Sequence, residues 1–280
     1  MWKEYFVYGA DFLPLAAGVA GALPSALSFI DRTIRIDSES HFELRSVSFV
    51  CTSPNFYIKY KDSNSESGLQ KDPADVRLVG GRSNSLLTSS GVAFLPHRFI
   101  GSHILQSAGS FIASLADFSG SSNTIRLAFH GSKINRGDPP WIGTTYLDQE
   151  GVGYTYPTIL DVSANSSLPA SILIDTGSDF LVEKISVVRS GAALISISDS
   201  REYLWFNTSM HVDNVAGAEM FQNDISKYGG RFIHGGSLIT IEATDLSGVA
   251  NRICIGFTGR KMIKSRQLVS GIGKGFQSLV

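Results

Sequence analysis

The chain has 280 residues, which is long enough for one large or two ordinary domains. Apolar residues make up 43% of it and charged residues 18%, a composition that can fill a core and that excludes a wholly disordered chain. The 24 basic and 25 acidic residues leave a net charge of −1, so no charge excess favours binding to nucleic acid or to an anionic membrane.

Aromatic residues crowd the N-terminus, at Trp2, Phe6, Tyr8 and Phe12. A terminal segment has little core to enter, so we predict that residues 1–12 form an arm that lies on a neighbouring subunit. The apolar stretch that follows is interrupted by prolines and has a single lysine before it. Neither a membrane span nor a signal peptide is therefore expected there.

The two halves of the chain repeat the same segments in the same order. Residues 34–42, IRIDSESHF, align without gaps on residues 172–180, ILIDTGSDF. Residues 117–133 align in the same way on residues 245–261, with Asp, Ser-Gly, Asn and alternating apolar residues at matching places. Several matching segments in a common order indicate an internal duplication.

The periodicity within each copy is that of β-strands. Apolar residues alternate with polar ones over residues 34–44 and 125–129, and again over 239–243 and 253–257. No stretch has the pattern of an amphipathic helix longer than about two turns. The predicted fold class is therefore all-β, with two tandem antiparallel β-sandwiches of jelly-roll type related by internal duplication.

Two kinds of turn recur in both copies. One joins the last two strands of each copy, in DFSGSSN and DLSGVAN, and the other follows the strand that ends in IRID or ILID. Aspartate and asparagine side chains hydrogen-bond to the backbone in such turns, so we predict a structural role for them. These turn residues are Asp37, Asp175, Asp117, Asn123, Asp245 and Asn251.

The repeat divides the chain into five predicted parts: the arm at residues 1–12, a first sandwich at 13–134, a linker at 135–157, a second sandwich at 158–264 and a tail at 265–280. The linker is too aromatic for a free spacer, so we expect it to pack against a neighbour. Its aromatic residues join those of the arm in the predicted assembly interface; they are Trp141, Tyr146, Tyr154 and Tyr156.

The segment ILIDTGS, at residues 172–178, has the local form of an aspartic protease active-site loop. That chemistry requires two aspartates that face each other and share a proton. The duplication places Asp37 at the equivalent position, but Glu39 stands there in place of the loop glycine. Only a homodimer that uses Asp175 twice would restore the pair, so a strand followed by an aspartate turn is the favoured interpretation.

No other pattern in the sequence predicts chemistry. The six histidines form no ligand-spaced pair with a carboxylate, and Cys51 and Cys254 are interpreted as buried free thiols. No nucleophile elbow or phosphate-binding loop is present. We therefore expect no enzymatic activity, no metal, no cofactor and no small-molecule substrate.

Four segments of the chain resemble small virion structural proteins of tailed bacteriophages. They are the leader at residues 13–18, the segment 36–45, and the closing segments 117–133 and 245–261. The resemblance implies a non-enzymatic β-sandwich protein of the virion that decorates the shell or builds the neck or tail. Its implied partners are copies of itself and other virion proteins, with neither nucleic acid nor a membrane among them.

Two further interpretations stay open. Two tandem jelly rolls in a chain of this length also match the layout of double jelly-roll major capsid proteins of tailless viruses. A carbohydrate- or receptor-binding module would instead use exposed aromatic rings as stacking platforms, and the candidates for that role are Trp141, Tyr154 and Trp205.

Overall fold

The computed structural model describes residues 2–62, 65–76, 83–88, 91–136, 151–200, 204–216 and 223–264. In this part of the chain no helix is long and apolar enough to cross a membrane. The helical elements are α1 (Val212–Ala216) and the 3-10 helices Pro24–Ala26 and Ser226–Tyr228. The strands are β1 (Trp2–Leu15), β2 (Ile30–Arg35), β3 (Ser40–Cys51), β4 (Phe56–Asp62), β5 (Ser65–Asp75), β6 (Ser83–Thr88), β7 (Gly91–Leu105), β8 (Ser110–Asp117), β9 (Asn123–Asn135), β10 (Val152–Val162), β11 (Ser167–Leu173), β12 (Ser178–Arg189), β13 (Ala193–Asp199), β14 (Met210–His211), β15 (Asn223–Asp224), β16 (Arg231–Ile233), β17 (Leu238–Asp245) and β18 (Asn251–Ile263).

The strands form four antiparallel sheets, two in each half of the chain. In the first half the orders are β1-β9-β3-β7-β6 and β2-β8-β4-β5. In the second half they are β10-β18-β12, extended by β15 and β16 on β12, and β11-β17-β13-β14. Both halves thus pair their first strand with their last and their second with the one before it, which is the jelly-roll connection. The predicted all-β fold of two tandem jelly-roll-like sandwiches is confirmed.

Alternate residues of the strands fill the core of each sandwich. Ile125 and Phe129 on β9 are buried, and Ile253 and Phe257 take the equivalent places on β18. Each such side chain contributes about 1.5–3 kcal/mol through removal of its surface from water. The alternation that predicted these strands is therefore also what holds the two sheets of each sandwich together.

A β-bulge at the same place in both halves shows how closely the copies correspond. The register of β3 shifts at Arg45, and the register of β12 shifts at Glu183. Gly131 and Gly259 lie beside these bulges, on β9 and β18. A Cβ atom on either glycine would lie 2.1 Å or 1.9 Å from a backbone carbonyl oxygen of the neighbouring strand. Both copies therefore require glycine at this place.

The N-terminal segment is strand β1 and not an arm on a neighbour. It pairs with β9 along its length. Phe6, Tyr8 and Phe12 lie in the core of the first sandwich, at 3%, 2% and 1% exposure. Tyr5 and Val7, which point to the opposite side, are fully buried as well. A strand that is buried on both faces loses the alternation of apolar and polar residues, so the sequence did not reveal it.

The second sandwich begins inside the predicted linker. β10 starts at Val152 and is the counterpart of β1, because each is the first strand of its half and pairs with the last. The sandwiches therefore begin at Trp2 and Val152, and not at residues 13 and 158. Of the predicted linker, residues 137–150 lie outside the described part of the chain, as does the predicted tail at 265–280.

Candidate functional site

The turn after β11 holds Asp175 in an exposed position with a cationic partner. Its carboxylate pairs with Nζ of Lys261 on β18, and its backbone N–H donates to the hydroxyl oxygen of Tyr156 at 3.4 Å. The Lys261 ammonium also lies 3.6 Å from the ring centroid of Tyr154, which is a cation–π contact. The hydrogen bond from Lys261 lowers the pKa of Asp175, so this carboxylate is charged at neutral pH.

The first sandwich repeats these contacts one by one. Asp37 pairs with Lys133, and its backbone N–H donates to the hydroxyl oxygen of Tyr8 at 3.2 Å. The Lys133 ammonium lies 3.7 Å from the ring centroid of Phe6. Because each half carries the same aspartate, lysine and tyrosine, the contacts belong to the duplicated fold.

These contacts do not suit an aspartic protease. The catalytic pair of such an enzyme keeps a shared proton between two carboxyl groups, which requires that one of them has a raised pKa. The pKa of Asp175 is lowered by its lysine partner. The structure therefore favours the aspartate turn over the active-site loop for this segment.

The turns between the last two strands of each half also hold their aspartates by hydrogen bonds. Asp245 accepts from the backbone N–H of Ser247 at 3.0 Å and from the side-chain amide of Asn251 at 3.2 Å. Burial opposes the charge of Asp245, but the hydrogen bonds outweigh it and lower its pKa. Asp117 accepts from the side-chain amide of Asn123 at 2.8 Å in the first half. All six predicted turn residues thus lie in or next to turns.

The two sandwiches meet on the outer face of the sheet that contains β1, which we call the β1 sheet. Residues 204–216 and 223–230 of the second sandwich cover this face. The edge of β1 is hydrogen-bonded there, because the Val7 N–H donates to the carbonyl of Trp205 and the Asn207 N–H donates to the carbonyl of Val7, both at 3.3 Å. We call this contact the junction.

A chain of buried polar side chains runs through the junction. The Tyr5 hydroxyl lies 3.1 Å from Nδ1 of His130, and Nε2 of His130 lies 2.8 Å from Oγ of Ser48. Ser48 donates to the side-chain oxygen of Asn214 at 3.1 Å, and Asn223 donates to the Tyr5 hydroxyl oxygen at 3.1 Å. If Tyr5 donates to Nδ1 and Nε2 donates to Ser48, every one of these bonds is satisfied with His130 neutral.

Serine beside histidine is the first requirement of nucleophilic catalysis, but this pair is sealed. Ser48 is 0% exposed and His130 is 1% exposed, and the second sandwich covers both. Burial lowers the pKa of His130 to about 3, so the ring is neutral. The same burial leaves no path by which a substrate could reach the pair. The cluster therefore holds the two sandwiches together.

A cleft of about 510 Å³ opens beside the junction. Arg231 on β16 is 2% exposed and donates to Glu4 at 2.9 Å and to Asp199 at 3.3 Å. Two carboxylates therefore neutralise the guanidinium, and this ion-paired cluster joins β1 of the first sandwich to β13 and β16 of the second. The cleft is also lined by Trp2, Phe232 and His234.

The residues of the predicted assembly interface differ widely in their exposure to solvent. Trp2 lines the cleft, and Tyr154 is 43% exposed. Trp141 and Tyr146 lie outside the described residues. The remaining members are buried within this chain, which corrects the prediction that they contact a neighbour; these are Phe6, Tyr8, Phe12 and Tyr156.

The sugar-binding interpretation loses one of its three platforms. Trp205 is 0% exposed and packs in the core against Phe257, with ring centroids 5.4 Å apart. The prediction for Trp205 is wrong because residues 204–216 turn inward at the junction. Tyr154 has its ring beside the Lys261 ammonium, and Trp141 lies outside the described residues.

The described part of the chain contains no group of three or more His, Cys, Asp or Glu residues that could hold a metal ion. Both cysteines are free. Cys51 is buried, and burial raises the pKa of its thiol to about 12. Cys254 is partly exposed, contrary to the prediction of a buried thiol.

Sequence comparison assigns no family: no family model matches the chain, and no curated protein matches it. Several solved structures match the chain at low identity and low TM-score. One match is a structure that describes the triple jelly roll fold and turret assembly in an archaeal virus; it is 9% identical to this chain, with a TM-score of 0.28. The match covers 84% of this chain and 56% of that one, so this chain spans little more than half its length.

Two further solved structures match over nearly their whole length. The major capsid protein of bacteriophage PM2 is 8% identical over 92% of this chain and 99% of its own, with a TM-score of 0.23. Peptide:N-glycanase F is 8% identical over 91% and 96%, with a TM-score of 0.20. Several neighbours are viral proteins, among them the capsid proteins of PM2 and mavirus. TM-scores this low carry no argument about function, and the jelly-roll fold rests on the strand order itself.

Proposed function

We propose that this chain is a non-enzymatic structural protein of a virion. It would form part of the capsid, a decoration layer, the neck or the tail, by assembling with copies of itself and with other virion proteins. The sequence segments that resemble virion proteins of tailed bacteriophages support this role.

The junction is the observation that carries the proposal. Its hydrogen bonds and buried side chains join two jelly rolls into one block, and the candidate reactive groups among the described residues are engaged in structural contacts. Ser48 and His130 are sealed between the sandwiches, Arg231 is paired with two carboxylates, and Asp175 is paired with Lys261. A block of two joined sandwiches, whose candidate reactive groups are held in hydrogen bonds and ion pairs, is a suitable subunit for a symmetric assembly.

The mass of the purified full-length chain in solution tests the proposal. We expect light scattering over a range of concentrations to detect a defined oligomer or larger shell, and electron microscopy to show its regular outline. A monomer at every concentration would contradict the proposal. Deletion of residues 1–12 is not a suitable variant, because β1 belongs to the core and its loss would unfold the first sandwich.

A further inference from the structure

The covered face of the β1 sheet has an equivalent elsewhere in the molecule. Its middle row runs across β1, β9 and β3 through Gly9, Ala128 and Ser48. Ala128 and Ser48 are 0% exposed, and a Cβ atom on Gly9 would lie 2.6 Å from Cε of Met210 in the second sandwich. The small side chains let the second sandwich approach the sheet closely.

The equivalent face of the second sandwich belongs to the sheet that contains β10, which we call the β10 sheet. Ile159 and Val188 flank Cys254 in one cross-strand row, and both are 63% exposed. The adjoining row, like its covered counterpart, contains no long side chain; it consists of Pro157, Gly256 and Ser186. We call this surface the open face, because no described segment covers it as the junction covers the β1 sheet.

The open face is uncharged at its centre and charged at its ends. Thr155 and Thr258 hydrogen-bond to each other at 2.9 Å next to the glycine row. Asp161 and Arg252 form an exposed ion pair at one end, and Lys184 lies at the other. An apolar centre with a polar rim is the usual arrangement of protein–protein interfaces.

We propose that the open face is the docking surface for a second copy of this chain, which binds through its first sandwich. This inference rests on the proposed self-assembly. The same sheet face in the other half of the chain already binds a jelly roll, through residues 204–216 and 223–230 of the second sandwich. The second sandwich is engaged in this way within each chain, so the first sandwich is the one left to cover the open face of a neighbour.

Such a contact is head-to-tail and leaves each added copy with an open face of its own. A head-to-tail contact closes into a ring if its rotation permits and otherwise continues as a filament. The junction within the chain and the contact between chains would then be equivalent in kind. The molecule would behave as a chain of alternating sandwiches, joined covalently at every second step.

Two substitutions on the open face test this assignment against a matched control. Ile159→Lys and Val188→Lys each place a charge at the centre of the face, and both positions are exposed enough to leave the fold intact. Val249→Lys is the control, since Val249 is also 63% exposed but lies in the turn between β17 and β18. We expect the first two variants to lose the assembled species in light scattering and the control to retain it.

The outcomes separate this inference from the proposed function. If the wild type assembles and both open-face variants assemble equally well, the open face is not the contact, although self-assembly stands. If the wild type is a monomer throughout, the proposed function fails and this inference fails with it. Loss of assembly in all three variants would show a general effect of added charge and would also overturn the assignment.

The native thiols give a second measurement that needs no substitution on the face. Cys254 lies in the centre of the open face, whereas Cys51 is 1% exposed in the core. We expect a maleimide to label Cys254 in dilute, dissociated protein and to lose that labelling in the assembled species. Labelling of Cys51 reports unfolding and must stay absent in both samples. Equal labelling of Cys254 in both states would refute the assignment.

Discussion

Acid should weaken the junction through His130. This ring lies between Tyr5 and Ser48 with both nitrogen atoms engaged, and burial lowers its pKa to about 3 from the ordinary 6.5. A proton on the ring would place an unpaired charge in the junction and remove the acceptor for the Tyr5 hydroxyl. The unfolded chain has no such restriction, and its histidine takes up a proton near the ordinary pKa.

The size of the effect follows from the difference in proton binding. Between about pH 7 and pH 5 the unfolded state binds most of a proton at this histidine and the folded state binds almost none. The free energy of unfolding therefore falls by about 2 kcal/mol over that interval from His130 alone. The stabilisation is complete above the unfolded pKa and is lost as the pH falls toward the folded pKa of about 3. Burial also lowers the pKa of His211 to about 3, so His211 adds a loss of the same sign.

The variant His130→Gln isolates this contribution. Urea unfolding of the wild type and the variant, followed by tryptophan fluorescence at both pH values, measures the two free energies of unfolding. The variant should lose about 2 kcal/mol less than the wild type between about pH 7 and pH 5, whatever its absolute stability. Equal losses in the two proteins would show that His130 is accessible to protons in the folded state and would refute the reasoning.

Two further substitutions test the bulge glycine and the buried ion pair. Gly259→Ala should destabilise the second sandwich strongly, because the added Cβ would lie 1.9 Å from a backbone oxygen. Gly153→Ala is the control, since a Cβ there meets nothing within 4 Å. The melting temperature of the first variant should be well below that of the second, and equal values would contradict the close approach at Gly259. Arg189→Leu leaves the carboxylate of Asp213 buried without its bidentate partner, at a cost of about 3–5 kcal/mol in urea unfolding, and a loss below about 1 kcal/mol would mean that water reaches Asp213.

Local patterns in the sequence were sufficient for the fold class and the duplication. The alternation around Ile125 and Ile253 predicted strands because it depends only on which face of a strand enters the core. The turns at Asp117 and Asp245 were predictable for a similar reason, since Ser119 and Asn123 donate to the first aspartate and Ser247 and Asn251 to the second, all within six residues along the chain. The bond from the Asn165 N–H to Asp245 spans 80 residues and had no such local signal.

The boundaries of the two sandwiches were not predictable in the same way. β1 and β10 are equivalent strands, yet the sequence suggested an arm for the first and a linker for the start of the second. Phe6 and Tyr8 share a segment with Tyr5 and Val7, and all four are buried, so no alternation marks the strand. Phe6, Tyr8, Phe12 and Tyr156 therefore pack in the chain's own core, where the sequence analysis predicted a contact with another subunit.

The sequence by itself determined two jelly rolls of one kind, down to small residues at equivalent places on their outer faces. Only the tertiary structure decided that the second sandwich covers one of those faces, while no segment among the described residues covers the other. Ser48 and Ser186 occupy matching positions, but Ser48 is buried because it meets Asn214, 166 residues further along the chain. Burial of an outer face depends on which distant surface packs against it, and no local periodicity records that choice.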